Sequence, residues 1–163
     1  IPYFPFFARR LGWYALIRIL KPNVIVETGT DKGFGTLVIA NALKKNGSGV
    51  VYTIDNDKYS GSLIDKDYWS NIKIIKGDSL ENLSLIKNID IFIHDSDHSY
   101  KYELAEYEAI QNNLAPNALV LSDNSEVTNA LLKWSIKNNR NFISFRENPK
   151  NHWYKGDGIG ISK

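Results

Sequence analysis

The sequence predicts a three-layer α/β sandwich, doubly wound, in which a mostly parallel sheet lies between two layers of helices. From Asn23 onward, short β-branched runs alternate with longer amphipathic segments, which is the pattern of parallel strands joined by crossover helices. The length of 163 residues supports a single domain, because a chain of this size can bury roughly 70% of its unfolded surface in one core.

Seven strands follow from runs of β-branched and aromatic residues, and six helices from the apolar periodicity between them. In such a sheet, ligands bind at the carboxyl ends of the strands. The predicted strands are Val24–Glu27, Val50–Ile54, Ile72–Lys76, Ile89–His94, Ala118–Ser122, Phe142–Phe145 and Gly158–Ile161. The predicted helices are Leu11–Leu20, Gly35–Lys45, Tyr59–Trp69, Leu80–Lys87, Ser99–Leu114 and Val127–Asn138.

Composition excludes disordered and fibrous proteins, because 43% of the residues are hydrophobic and 23% are charged. Twenty Lys and Arg against 18 Asp and Glu leave a net charge of +2, so no nucleic acid partner is expected. The sequence contains no Cys, which excludes disulfides, thiolate metal sites and Cys nucleophiles. This usage is typical of a reducing compartment, and a cytoplasmic location is expected.

The N-terminal stretch is apolar but does not predict a membrane span. Pro2, Pro5 and the Arg9–Arg10 pair interrupt it well below the ~20 apolar residues that a span needs. Aromatic residues precede the positive charges, which is the reverse of a secretory signal. We therefore expect no membrane partner, an aromatic arm and helix over residues 1–21, one domain over residues 22–163, and a native N-terminus upstream of Ile1.

The first candidate ligand site is the glycine-rich turn after the first strand. It reads Glu27-Thr-Gly29-Thr30-Asp-Lys-Gly33-Phe-Gly35 and opens a helix. Glycines let a ligand approach the backbone, and the helix start offers free N–H groups. The spacing differs from the dinucleotide G-x-G-x-x-G, and the acid before the first glycine suits a cationic ligand. Cofactor contacts are predicted for Glu27, Gly29, Thr30 and Gly33, against the alternative of an ordinary turn.

Two further polar turns follow the second and third strands. Asp55 ends the second strand, where an acid can accept hydrogen bonds from both hydroxyls of a ribose. Asp78 and Ser79 follow the third strand and could contact an adenine edge. Asp78 is equally suited to cap the next helix, so the sequence leaves its role open.

The most specific cluster follows the fourth and fifth strands. The fourth strand runs into Asp95-Ser-Asp97-His98, and the fifth into Asp123-Asn124. If these strands are neighbours, Asp95, Asp123 and Asn124 converge as three oxygen ligands. Such a set suits a hard cation such as Mg²⁺ and leaves three positions for water or substrate.

The order of these motifs resembles a known family. E-x-G-x-x-x-G, the acid after the second strand, D-x-D-H and D-N resemble class I S-adenosylmethionine-dependent methyltransferases. The match is to the cation-dependent O-methyltransferases related to catechol and caffeoyl-CoA O-methyltransferase, and D-x-D-H-S-Y also resembles a branch of bacterial methyltransferases. The resemblance runs from about Pro22 to the end. It implies a Rossmann-like, seven-stranded sheet whose last strand, Gly-Ile-Gly-Ile, is antiparallel.

The resemblance also implies roles for the candidate residues. S-adenosylmethionine and a divalent cation, expected to be Mg²⁺, are the implied cofactors, and Asp95 is expected to face both. Glu27 and Gly29 would lie at the methionine end of the cofactor, Asp55 at its ribose, and Asp95, Asp123 and Asn124 around the metal.

His98 stands where catechol O-methyltransferase has a lysine base, three residues beyond the first metal aspartate. With an unperturbed pKa of about 6.5, it could take a proton from the acceptor near neutral pH, or it could only bond a neighbouring carboxylate. The implied reaction is O-methylation of a hydroxyl on a small molecule. Acceptor specificity is expected from short loops, the N-terminal arm or the second subunit of a homodimer. His152, Trp153 and Tyr154 suit either a substrate wall or a packed loop.

Two other classes stay open at this point. A metal-independent methyltransferase would keep Glu27, Gly29 and Asp55 and use Asp123 and Asn124 structurally. A non-catalytic nucleotide-binding module or a dehydrogenase is less supported, because the glycine spacing is not that of a dinucleotide site.

Overall fold

The computed structural model describes residues 8–65, 69–148, 150–151 and 156–163, with side chains from residue 10 onward. The predicted aromatic arm lies outside the described residues. His152, Trp153 and Tyr154 lie outside them as well.

Seven strands form one sheet in the order β3-β2-β1-β4-β5-β7-β6. The first five are parallel to one another, and β7 lies antiparallel between β5 and β6. The predicted mostly parallel sheet with an antiparallel C-terminal strand is therefore confirmed. The strands are β1 Val24–Thr28, β2 Val50–Asp55, β3 Ile72–Lys76, β4 Ile89–His94, β5 Leu114–Asp123, β6 Phe142–Arg146 and β7 Gly158–Ser162.

The helices flank the sheet, and the first two lie close to their predicted positions. The second helix shows why its ends are sharp: Gly33 and Gly47 adopt left-handed backbone at its two ends, and the Gly47 N–H donates to the carbonyls of Leu43 and Lys44. The helices are α1 Ala8–Leu20, α2 Phe34–Asn46, α3 Ser79–Asn82, α4 Tyr100–Ile110 and α5 Ala130–Lys137, with 3₁₀ turns at Leu83–Leu85 and Gln111–Asn113.

The structure differs from the helix predictions in three places. Residues 58–63 form turns instead of the start of a helix over Tyr59–Trp69, and Gly61 there has a φ of 74°. The helix predicted over Leu80–Lys87 is a single α-turn followed by a 3₁₀ turn. The fourth and fifth helices are shorter than predicted. The fourth ends at Ile110, because a 3₁₀ turn leads from it into β5 at Leu114, and the fifth begins only at Ala130.

Two apolar cores, one on each face of the sheet, hold the three layers together. Trp13 and Ile17 of α1 pack with Ile39 and Leu43 of α2 in the first core. The second core lies under α4 and α5 and contains Tyr107, Phe92 and Trp134. In the described part of the chain, no helix has the length and the apolar run that a membrane span needs.

Candidate functional site

A cavity of about 580 Å³ opens at the carboxyl ends of the parallel strands. The strand order reverses direction between β1 and β4, which is the switch point where open α/β sheets bind ligands. Of the eight predicted cofactor residues, the structure brings five to the wall of this cavity: Gly29, Asp55, Asp78, Ser79 and Asp95.

Gly29 lets β1 and β4 end side by side at this cavity. Its backbone φ is 88°, and its N–H donates to the carbonyl of Ile54 at 2.9 Å. A Cβ built on Gly29 would lie 1.9 Å from the backbone oxygen of Asp95. No side chain can occupy that position without moving the Asp95 backbone, so the close approach requires glycine.

Glu27, Thr30 and Gly33 do not line the cavity. Glu27 is buried, and it accepts hydrogen bonds from Thr36 at 2.5 Å and from Thr53 at 2.8 Å. Thr30 is also buried, with its hydroxyl 2.7 Å from that of Thr53. Burial raises the pKa of Glu27 to about 7 although both threonine hydroxyls oppose that shift. The polar cluster between β1, β2 and the start of α2 consists of Glu27, Thr30, Thr36 and Thr53.

Asp55 organises the loop that borders the cavity beyond β2. Its Oδ2 accepts from the backbone N–H of Asp31 at 2.9 Å, and its Oδ1 accepts from that of Asp57 at 2.8 Å. The carboxylate thus holds the loops after β1 and β2 together. Each carboxylate oxygen can accept more than one hydrogen bond, so both can also meet ligand hydroxyls.

Asp78 is a helix cap and also lines the cavity, while its contact with an adenine edge stays a prediction. Its carboxylate accepts from the Leu80 N–H at 2.8 Å, which caps α3, and from the Tyr102 hydroxyl at 3.0 Å. The Ser79 hydroxyl lies 2.9 Å from the same Tyr102 hydroxyl. Tyr102 of α4 therefore joins the two predicted residues on the wall that follows β3.

Glu106 of α4 is the main site residue that sequence reasoning missed. It is fully buried, and its carboxylate accepts from Thr28 at 2.9 Å, His94 Nδ1 at 2.6 Å, Ser96 at 3.0 Å and the hydroxyl of Ser79. These donors come from the ends of β1 and β4 and from the turn after β3, so one side chain ties together three of the loops around the cavity.

A second buried acid, Glu103, lies one turn earlier on the same face of α4. It accepts from Tyr107 at 2.6 Å, from Ser122 at 2.8 Å and from the hydroxyl of Thr128. Two acids three residues apart on the apolar face of an amphipathic helix are a signal that the sequence does contain. It is recognisable because charged residues are rarely buried without partners.

Asp95 and Asp123 meet beside the cavity, as expected for the ends of neighbouring strands, and His98 lies against Asp95. The Asp95 and Asp123 carboxyls are hydrogen-bonded to each other, and His98 Nε2 lies 3.8 Å from Asp95 Oδ1. Burial first, and then the charge of Asp123, raise the pKa of Asp95 to about 9. Asn124 has a left-handed backbone with φ 52°, and its Nδ2 donates to His98 Nε2 at 3.2 Å.

His94 contacts this cluster through the ring of His98. Its ring is fully buried, donates from Nδ1 to Glu106, and meets the His98 ring edge-on with centroids 5.3 Å apart. His98 in turn lines a second cavity of about 540 Å³, together with Tyr100 and Val127. The cluster therefore separates two cavities, with Asp95 on one wall and His98 on the other.

The residues predicted to bind a metal ion lie near one another, but the described acids and histidines around them do not form a metal site by themselves. The two carboxylates and the amide predicted as ligands are neighbours, as described above. Among the described residues, however, no group of three or more His, Asp or Glu side chains is arranged to hold a metal ion. A cation at this place would depend on the carboxamide of Asn124 as its third protein ligand.

Comparisons with known proteins identify the fold and the family. A family model described as a methyltransferase domain matches residues 26–125, which is more than half of the chain. No curated protein matches the sequence.

Solved structures match over nearly the whole chain. An O-methyltransferase from Bacillus cereus in complex with SAH is 16% identical with a TM-score of 0.74, covering 94% of this chain and 79% of that one. The O-methyltransferase TomG from Streptomyces achromogenes, involved in tomaymycin synthesis and in complex with SAM, is 16% identical with a TM-score of 0.75, covering 94% and 78%. An rRNA methylase from Streptococcus thermophilus is 15% identical with a TM-score of 0.70, covering 97% and 98%.

At these identities the structural likeness establishes a shared fold, and that fold serves proteins with different acceptors. The family match covers the strands that carry Gly29, Asp55, Asp95 and Asp123. The chain therefore belongs to the family of methyltransferase domains, and it shares its fold with O-methyltransferases solved in complex with SAH or SAM.

Proposed function

We propose that this chain transfers the methyl group of S-adenosylmethionine to a hydroxyl of a small molecule, with a divalent cation beside the reacting oxygen. The observation that carries the proposal is the position of the Asp95, Asp123 and His98 cluster between two cavities. One cavity suits the cofactor and the other suits the acceptor, so the methyl group would cross from the first to the second at this cluster.

The charge of the first cavity supports S-adenosylmethionine as the cofactor. When bound, this group supplies a methyl already activated on a positively charged sulfur. Acidic side chains stabilise a nearby positive charge, and Asp55 lies where both ribose hydroxyls could be bound. The acids that line the cavity are Asp31, Asp55, Asp57, Asp78, Asp95 and Asp97.

The donor set beside His98 is chemically suited to a cation. Asp95 and Asp123 are carboxyls in contact, and their mutual repulsion contributes to the raised pKa of Asp95. A divalent cation held by Asp95, Asp123 and Asn124 would remove that repulsion with oxygen ligands of the kind Mg²⁺ prefers. Such a cation orients a coordinated hydroxyl and lowers its pKa.

His98 is the proposed general base. Asn124 Nδ2 lies 3.2 Å from His98 Nε2, so the amide can donate to this ring nitrogen when the imidazole is neutral, which is the form that a base requires. His98 would take the proton of the hydroxyl, and the bound cofactor would supply the methyl group, with the electron pair of the broken carbon–sulfur bond left on sulfur. The His94 ring packs edge-on against the His98 ring, and Glu106 holds His94 in place through its hydrogen bond to Nδ1.

A metal-independent methyltransferase is the second candidate. It is favoured by the absence, among the described residues, of any group of three His, Asp or Glu side chains that could hold a metal ion. In that case Asp95 and Asp123 would share a proton and position His98, and the base alone would activate the acceptor.

The deciding experiment combines calorimetry with chelation. We expect SAH to bind the wild-type protein, and Mg²⁺ to bind the SAH complex. Asp123→Ala should abolish Mg²⁺ binding and leave SAH binding largely intact, since two remaining oxygen ligands compete poorly with water. Glu108→Gln, which removes a charge from the exposed ion pair with Lys137, is the control and should bind both ligands like the wild type.

Activity would be followed as SAH production with a panel of vicinal-diol and phenolic acceptors. EDTA should stop transfer to any responsive acceptor, and His98→Ala should keep Mg²⁺ binding while losing about 10²–10⁴-fold in rate. Full activity in excess EDTA would reject the cation and favour the second candidate. A wild-type protein that does not bind SAH would reject the cofactor.

A further inference from the structure

Arg10 is a basic residue at the first cavity that lies outside the sequence motifs. Arg10 lies in α1, before the region matched by the family model, and its side chain lines the first cavity together with Gly29 and Asp95. Its Nε is buried and has no hydrogen-bond acceptor among the described residues. A buried donor without an acceptor is costly, which suggests that a ligand supplies one.

The surrounding charges make this side chain distinctive. Arg10 is the one cationic group among the described residues that line the cavity, and the acidic residues there are six aspartates. Its charge partly opposes the rise in the pKa of Glu27 that burial causes, so it acts on the end of the cavity nearest that acid. The strands β1 and β4 terminate at that end. Asp55 ends β2, which is the neighbour of β1 on the other side.

The proposed cofactor carries one group that an acidic cavity would repel. Its amino-acid end has an ammonium, which aspartates attract, and a carboxylate, which they disfavour. A guanidinium binds a carboxylate through two parallel hydrogen bonds, and such charge-assisted pairs are stronger than neutral ones. An acidic site for this cofactor therefore needs a cation at the carboxylate.

We propose that Arg10 binds the α-carboxylate of the cofactor, so that helix α1 contributes directly to the cofactor site. The assignment rests on the proposed function, because it takes S-adenosylmethionine as the ligand. It also gives α1 a function beyond packing on α2: the burial of Trp13 and Ile17 holds the helix at the position from which Arg10 reaches the cavity. The competing interpretation is that Arg10 only balances the charges of Glu27 and Asp95.

Calorimetric titration with two ligands separates these interpretations. The first ligand is SAH, and the second is its decarboxylated analogue, which keeps the adenosine, the sulfur and the ammonium. We expect Arg10→Gln to weaken SAH binding by about 10–100-fold, as the loss of a charge-assisted hydrogen-bonded pair implies. The affinity of Arg10→Gln for the decarboxylated analogue should be within about twofold of the wild-type affinity, or higher, because this ligand has no carboxylate for Arg10 to bind.

Two further variants control the result. Arg18→Gln removes the same charge from the last turn of the same helix, away from the cavity, and should bind both ligands like the wild type. Arg10→Lys keeps the charge without the two-pronged geometry and should recover part of the SAH affinity. Thermal unfolding of each variant verifies that it folds.

The outcomes are distinct. If Arg10→Gln weakens the binding of both ligands equally, the carboxylate assignment is wrong and the proposed function stands. The same holds if the wild type binds SAH and Arg10→Gln binds it equally well. If the wild type binds neither ligand, the proposed cofactor is wrong and the assignment fails with it.

Discussion

Replacing Gly29 with alanine tests the claim that the cavity depends on a close approach of β1 and β4. The new Cβ would lie 1.9 Å from the Asp95 oxygen, whereas real Cβ contacts stay above 3.0 Å. The end of β4 would have to move by at least about 1 Å relative to Gly29. Because Asp95 carries the side chain shared by both proposed ligands, this movement should also disturb the site.

The magnitude combines two costs. A left-handed backbone costs a non-glycine residue about 1–2 kcal/mol, and forcing extra atoms into a packed region costs typically about 1–3 kcal/mol. Gly29→Ala should therefore lower the free energy of unfolding by about 2–5 kcal/mol. Gly47→Ala is the matched control, because Gly47 has a similar φ of 78° with no atom within 4 Å of a new Cβ, and it should cost only about 1–2 kcal/mol.

Urea unfolding of the two variants, with SAH titration of each, makes the comparison. Gly12→Ala adds a third reference, because Gly12 lies in α1 with open space around it and should gain about 0.5–1 kcal/mol. The reasoning would be refuted if Gly29→Ala were no more destabilising than Gly47→Ala, or if it bound SAH with wild-type affinity.

Three other predictions concern the buried and ligand-facing acids. Glu106→Ala removes the acceptor of four hydrogen bonds and should cost about 3–5 kcal/mol in chemical unfolding, while Glu106→Gln, which keeps one carbonyl oxygen, should cost clearly less; equal losses would contradict the proposed network. Burial raises the pKa of Glu27 to about 7, so the folded protein holds a proton that the unfolded chain releases, and stability falls as the pH rises from about 4.5 to about 7. Glu27→Gln cannot titrate and should therefore gain up to about 3 kcal/mol relative to the wild type between pH 5 and pH 8, and a difference independent of pH would reject the shift. Asp55→Ala should weaken SAH binding by at most about 1.5–3 kcal/mol per ribose hydrogen bond, and unchanged affinity of the folded variant would remove Asp55 from the site.

The order of elements and the acids at strand ends follow from local sequence. Residues 24–26 and 91–93 are apolar at consecutive positions, as strands buried between two helix layers must be. Polar residues directly after such strands are placed at one edge of the sheet by topology alone, which is why Asp55, Asp78 and Asp95 were predicted close to the positions they occupy.

The helix predicted over Tyr59–Trp69 shows where local pattern misleads. Its apolar residues suggested a helix, but the segment is held as turns by distant partners. The Gly61 N–H donates to the carbonyl of Asp31 at 2.5 Å, and Lys76 Nζ donates to the carbonyls of Asp57 and Ser60. The partners of these bonds lie in the loop after β1 and in β3, so the local sequence of the segment does not reveal them.

The sequence by itself determined the fold class, the strand order in the chain and the chemical types at each strand end, because these depend on periodicity and on short-range turn chemistry. Only the tertiary structure decided which polar groups share a site. Glu106 binds Thr28 across 78 residues, and Arg10 reaches a cavity formed by strands much later in the chain. Burial and electrostatic coupling depend on distances in space, so the raised pKa values of Glu27 and Asp95 arise only once the strands and helices have packed.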